Sequence, residues 1–336
     1  VINTLTNSIK DLIGILLFLI FIILFLFNTQ VLQYFQLDFT SEWLNVNAIF
    51  ISILLEAIPF MLLGVFVSAL IQSFVSEEAL QKVLPKHAYL GLVSAALLGA
   101  VFPVCECAII PVVRRLIKKG MPLQFGVVLL MAAPILNPIV AASTYYAFQH
   151  DLTVLYLRMG LGFFLSIIIG FVMFRIFGTT NQLRWTKEEL IGETGSVSTM
   201  KRSKWKQTFY HASDEFFDMG KYLIIGAFLA SVINGFLDRN LLASFITNEA
   251  EATGIMMGLA FILSLCSEAD AFVASSFSNQ FSSTSLLAFL VYGPMLDLKN
   301  TLLYLAYFKT KFVLVLMFTI TAVTFCSMLL VNMFFH

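Results

Sequence analysis

The stretch Val101–Gly120, VFPVCECAIIPVVRRLIKKG, decides how the chain meets a bilayer. The residues before it, from Tyr89 to Val101, are lipid-soluble. Then come Pro103, two cysteines around a glutamate, Pro111, and the basic residues Arg114, Arg115, Lys118 and Lys119. A carboxylate in hydrocarbon costs about 2.5–3.5 kcal/mol on insertion scales, so one placed there is usually paired or functional. Irregular backbone at that depth survives only when buried in protein or lining a wet cavity. Suppose the segment crossed fully from an N-terminus inside. The four basic residues would then lie outside, against the positive-inside rule. Suppose it enters to mid-depth and returns. They then lie inside. The stretch is read as a re-entrant hairpin turning at Cys105–Cys107, with a half-helix from Ala108 towards Lys119 and Pro111 in its first turn.

The rest of the chain supports that setting. Of 336 residues, 59% are hydrophobic and only 12% charged, a balance no soluble core of this length shows. Apolar segments of spanning length are Leu12–Phe27, Ala48–Phe74, Leu123–Phe148, Leu152–Phe177, Asp218–Leu237, Ser285–Tyr307 and Phe312–Phe334. A second broken stretch, Gly254–Ser278, surrounds Leu265–Phe272, LCSEADAF. The first apolar segment lacks a small-residue cleavage site and reads as a retained helix. The long polar segment, Gly178–Gln207, reads as a mobile cytoplasmic linker. The expected fold is all-α and polytopic, a multi-pass protein of the cell membrane with about seven full spans plus two re-entrant hairpins. The N-terminus lies inside and the C-terminus outside. Residues 1–47 form an N-terminal helix and outer loop, 48–177 a first repeat, 178–210 the basic linker, and 211–336 a second repeat. Among the exceptions to positive-inside are Arg158 and Lys299, which fall outside or mid-membrane. Net formal charge is zero and says nothing about nucleic-acid or acidic partners; no nucleic-acid partner is expected. Cys105, Cys107, Cys266 and Cys326 match no disulfide framework.

The two halves resemble each other. Leu55–Phe74 aligns without gaps on Phe217–Phe236, placing Glu56 on Asp218 and Gly64 on Gly226. Cys105 then falls on Cys266, and Ala133–Pro138, APILNP, on Gly293–Leu298, GPMLDL, with Asn137 over Asp297. With the first unit starting outside and the second inside, this is an inverted-topology repeat, a transporter architecture whose sites lie where broken helices meet.

A half-helix starting after Cys-Glu-Cys points its positive dipole end at the turn and stabilises thiolate and carboxylate anions there. Thiolates and a carboxylate suit a soft or borderline cation such as Zn2+. A lone cysteine is ordinarily a small buried hydrophobe, and Cys326 is read as core. The Cys-Glu-Cys motif with its repeat-matched partner Cys266 is read as a site. Cys105, Glu106, Cys107, Cys266 and Glu268 are the expected metal ligands. Asn137, Asp270 and Asp297 complete the substrate site, and Glu56 and Asp218 serve coupling. Helix breaks at Asn137 and Asp297 would expose carbonyls to a cation. No cofactor is expected, with Zn2+ as the ion transported or bound.

At these residues the chain resembles the ArsP-like family of predicted permeases, closest to its YcgR-like group. The resemblance rests on FPVCECAIIPVVRRLIKKG, APILNP, CSEADAFVASSF and GPMLDLKN and covers Ile53 to Tyr307. Family members typically carry Cys-Ser-Cys-Gly where this chain has Cys105-Glu106-Cys107-Ala108. The resemblance implies a permease, with thiol-based efflux of organoarsenicals as one activity of the family. For the YcgR-like group it implies a second membrane-associated partner, YcgQ-like, and a link to metal homeostasis, zinc among the candidates.

The expectation is a non-enzymatic permease moving a small solute through a Cys/carboxylate site by alternating access. No nucleotide-binding motif is present, so a gradient or a partner would supply the energy. A thiol oxidoreductase using Cys-x-Cys, or a membrane scaffold for a partner, are readings of other classes.

Overall fold

The computed structural model describes residues 41–74, 88–101, 105–148, 152–178, 180, 182–184, 204–236, 248–278 and 280–335. The expected span Leu12–Phe27 and most of the linker lie outside the described residues. The first half contains α1 (Ser41–Phe74), α2 (Ala88–Val101), α3 (Glu106–Lys118), α4 (Leu123–Leu136), α5 (Pro138–Ala147) and α6 (Leu152–Phe177). The second contains α7 (Lys204–Phe236), α8 (Glu249–Leu263), α9 (Ser267–Ser276), α10 (Ser283–Met295), α11 (Leu298–Tyr307) and α12 (Thr310–Phe335). The order of long, short and broken helices is the same in both.

Among the described residues, six stretches are long and apolar enough to cross a membrane: Asn45–Ser73, Leu123–Ala147, Leu152–Phe177, Ala212–Phe236, Ser283–Tyr307 and Thr310–Met333. The protein is thus all-α and multi-pass. Its outer surface is apolar, with Phe318 75% and Phe217 66% exposed. Water would not tolerate that coat, whereas lipid tails do. Leu123–Ala147 and Ser283–Tyr307 are the most buried of these spans and form the centre.

Both central spans break once. Asn137 caps α5 by accepting from Ile139 N at 2.9 Å, with Pro138 opening the helix. Asp297 caps α11 by accepting from Asn300 N at 2.6 Å. These side chains close the orphaned amides that the breaks create.

The re-entrant reading is visible in the packing register. A Cβ on Gly91 of α2 would fall on the Phe125 ring at the start of α4, and one on Gly99 on Ala132 further along. α2 and α4 are therefore parallel. Gly126 of α4 abuts Ile117 near the end of α3. The α2–α3 segment thus leaves the level of Phe125, turns near Cys105, and returns to that level. The second half repeats this. Ser282 donates to Glu249 at 2.6 Å, and Gly293 packs on Ala260, so α8 runs parallel to α10. Gly293 also meets Asp270, and Phe277 stacks edge-on against Phe281, so α9 returns antiparallel.

The matched first helices of the halves, α1 and α7, lie antiparallel along their length. Trp43 meets Phe236 at 5.5 Å, Phe50 meets Phe228 at 6.0 Å, and Phe66 meets Phe209 at 5.9 Å.

Local details differ from the sequence reading. α3 begins at Glu106 rather than Ala108, which puts Pro111 two residues deeper, past the first turn and inside the helix. Its missing N–H leaves the Cys107 carbonyl without an intrahelical partner. Residues 204–210, assigned to the linker, begin α7. The start of the linker is anchored: Arg184 N donates to Tyr307 O at 2.8 Å, and Lys309 N to Gln182 O at 2.9 Å. Cys326, read as core, is exposed on α12; among apolar neighbours facing lipid, a thiol needs no partner.

Candidate functional site

The two hairpin turns and the break before α11 converge. Cys105 is the N-cap of α3 and Glu106 its first residue; Cys266 is the N-cap of α9, with Glu268 and Asp270 in its first turn. The sequence thus gathers acidic groups at two helix N-termini, where the unpaired amides and the dipole favour negative charge. Cys105, Glu106, Cys107, Cys266, Asp270 and Asp297 are all buried, while Glu56 and Glu268 are half-buried.

Lys299 holds these parts together. Its ammonium lies 3.1 Å from Glu106 Oε1 and 3.4 Å from Asp297 Oδ2, and donates to Ser264 O at 2.8 Å. Glu106 belongs to the first turn, Ser264 to the second, and Asp297 to the broken span. Ser264 adopts a left-handed backbone, φ 49°, which is uncommon outside glycine. That conformation ends α8 and leaves the Ser264 hydroxyl accepting from Leu298 N at 3.1 Å. Asn300 completes the web, giving its amide Nδ2–H to Asp297 Oδ2 at 3.0 Å and accepting from Cys107 Sγ at 3.6 Å. Glu106 Oε2 is buried with no hydrogen-bond partner among the described residues, as is Asp270 Oδ2 of the second turn.

Beside this web lies a second constellation. Glu56 of α1, Cys266 and Glu268 each offer one ligand atom, all within 4.8 Å of one another. A sulfur and two carboxylates at that separation can close on one cation of Zn2+ size. Cys266 lies within Coulombic range of Glu106, Lys299 and Cys105, so the two constellations adjoin.

A buried arginine supports the second turn. Arg158 of α6 donates to Ser267 O at 2.9 Å and to Thr144 Oγ1 at 2.6 Å. Asp270 sits against Gly293, where a Cβ would fall 2.9 Å from Asp270 Oδ2 and push the carboxylate aside.

The expected site residues are distributed as follows. Cys105, Glu106, Cys107 and Asp297 join the Lys299 web or flank it. Cys266 and Glu268 pair with Glu56, which was expected to serve coupling. Asn137 faces its own helix start. Asp218 is at the surface, paired with Lys221 at 2.9 Å. Sequence reading missed Lys299, Asn300, Ser264 and Arg158 as site residues. A signal existed for two of them: Arg158 and Lys299 were exceptions to the positive-inside pattern, and a cation stranded at depth needs anionic company.

A bundle of lipid-coated helices, broken at mid-length around buried charge, defines a class of multi-pass membrane protein. The chain belongs to the family described as predicted permease, ArsP_1, which matches residues 42–333. It is 48% identical to the UPF0718 protein YcgR of Bacillus subtilis (strain 168) over 292 residues, covering 87% of this chain and 98% of that one. It is 37% identical over 285 residues to a putative two-component membrane permease complex subunit of Streptococcus mutans serotype c, covering 82% and 90% respectively. No solved structure matches. The protein is a multi-pass membrane protein of a permease family.

Proposed function

We propose that this permease carries a soft or borderline divalent metal ion, with Zn2+ the leading example, through the site at the hairpin turns. The observation that supports it most is the approach of Glu56, Cys266 and Glu268 from α1 and α9. A thiolate selects for borderline and soft ions, and carboxylates balance charge. Three protein ligands leave a coordination position open, which suits an ion that must be released. Around them acidic groups outnumber the basic Lys299 and Arg158, so a cation is the cargo that relieves the local charge.

Transport proceeds by alternating access of two inverted halves, a reading supported by the repeated helix order and the antiparallel pairing of α1 with α7. The Streptococcus mutans relative is named as one subunit of a two-component complex. We extend this to the present chain: a second membrane-associated protein works beside it.

Equilibrium dialysis of Cd2+ against the purified full chain tests the cargo class. The wild type should bind about one equivalent. Cys266→Ser and Glu268→Gln should each weaken binding by at least the roughly 10–100-fold that loss of an outer-shell partner costs. Equal affinity in all three proteins would sink the proposal. Binding of a trivalent arsenical that depends on Cys105 and Cys107, with none of Cd2+, would favour metalloid efflux instead.

A further inference from the structure

We propose that Lys299 is a specificity-determining residue: its ammonium fills an oxygen-lined cation cage at the hairpin turns and so denies that cage to hard ions. The cage is formed by Glu106 Oε1 at 3.1 Å, Asp297 Oδ2 at 3.4 Å and Ser264 O at 2.8 Å. Each comes from a different part of the chain, and each residue is almost wholly buried. Two carboxylates and a carbonyl are hard donors, the kind that take Na+, Mg2+ or Ca2+. The neighbouring constellation of Glu56, Cys266 and Glu268 contains sulfur and is of softer chemistry.

The construction of the cage shows that it is built for a cation rather than assembled by chance. Ser264 takes a left-handed conformation at the end of α8, and its carbonyl accepts from the Lys299 ammonium. Asp297 is held by two bonds from Asn300, through N at 2.6 Å and Nδ2 at 3.0 Å. α7 closes over the lysine, since a Cβ on Gly226 would fall 2.9 Å from Lys299 Cα. Glu106 keeps Oε2 without a hydrogen-bond partner. A protein that merely needed to neutralise Glu106 and Asp297 could have used uncharged residues at those places, at lower desolvation cost. The retained charges leave the soft constellation as the place for cargo, and the tethered ammonium excludes the abundant hard cations from its neighbour.

The soft-cargo half of this inference rests on the function proposed above; the oxygen cage does not, and it is tested without any transported metal. The probe is Na+ against choline at equal ionic strength, read as the midpoint of thermal unfolding of the full chain in detergent. Wild type should respond alike to both salts. Lys299→Met vacates the cage while keeping side-chain length, so its midpoint should rise by about 3 °C or more in Na+ over choline. Lys299→Met/Glu106→Gln removes both charges of the pair and should lose that Na+ preference. Should Lys299→Met unfold in choline, recovery in Na+ supports the cage. The inference is overturned if Lys299→Met shows no difference between the salts. It is equally overturned if neither Na+ nor the Glu106→Gln partner change restores a folded protein, since Lys299 would then be a structural tie alone. Absence of Cd2+ binding by the wild type would refute the cargo proposal and leave the Na+ result standing.

Discussion

In the first half, the returning arm of the hairpin lies on the long helix that precedes it; in the second half it does not. Gly64 of α1 is pressed against Ala108 of α3, where a Cβ would come within 2.5 Å of the Ala108 carbonyl oxygen. Ser68 Oγ sits 3.3 Å from Pro111 O, and Lys119 Nζ donates to Ile71 O and Gln72 O at 2.7 and 2.8 Å. The lysine thereby caps the carbonyls ending α1. The matched glycine of α7, Gly226, meets Lys299 of α11 instead. α9 leans away from α7 and packs on α5 of the other half.

The contact surfaces are shared but the ties are not. Gly64 corresponds to Gly226 and Ala108 to Ala269, so the second half possesses the small residues needed for the same close packing. It lacks the polar fasteners. Ala230 stands where Ser68 does, and Gln280 where Lys119 does. Two sequences of the same design therefore occupy two packings. Under the proposed inverted symmetry, each half shows the arrangement that the other adopts when access switches sides. The fasteners would make the first hairpin the more firmly docked of the two.

Glu215 of α7 ties that docked side together, accepting from Ser68 at 2.9 Å and pairing with Arg115 at 3.3 Å while itself buried. Its position corresponds to Ile53 in the other half, which can make no such bridge. Glu215→Ala should therefore produce the largest effect, about 3 kcal/mol of destabilisation, because it strands a largely buried guanidinium. Unfolding midpoints in detergent would show it; a midpoint unchanged from wild type would mean the fasteners hold nothing.

A finer contrast lies between the two matched glycines. Gly64→Ala drives a Cβ into the backbone of Ala108 at 2.5 and 2.6 Å, where no side chain can yield. Gly226→Ala meets Lys299 at 2.9 and 3.0 Å, a milder conflict. Both are overpacked, in the range of about 1–3 kcal/mol, with Gly64→Ala the costlier. Equal losses would show that the two packings are equally tight, and the comparison would lose its force.

The breaks were legible in the sequence because Pro103, the paired cysteines and a glutamate cannot continue an apolar helix. The return of the first hairpin was legible because a full crossing would have put Arg114, Arg115, Lys118 and Lys119 on the face that the positive-inside rule disfavours. The grouping of the site residues was not. Glu106 finds its cation on Lys299, a contact set by how α11 meets the first turn, and no local periodicity reports that. Glu56 reaches Cys266 and Glu268 for the same reason. Asp218, its aligned partner, stays at the surface, so alignment between halves gave the location of the turns better than the fate of individual side chains. The two-residue difference in the start of α3 is the ordinary uncertainty of a helix boundary read from propensity.

The most direct test of two halves exchanging their packing is a pair of distances measured in one preparation. Spin labels at Leu63 and Lys118 report α1 against α3, and labels at Ile225 and Phe272 report α7 against α9. Leu63, Ile225 and Phe272 are exposed on their helices, and Cys326→Ser removes the exposed native thiol. On adding Cd2+, the account predicts a new, shorter Ile225–Phe272 population, as α9 docks on α7. It predicts a longer Leu63–Lys118 population in step with it, as α3 leaves α1. Both distances unchanged in protein that has bound Cd2+ would contradict the account.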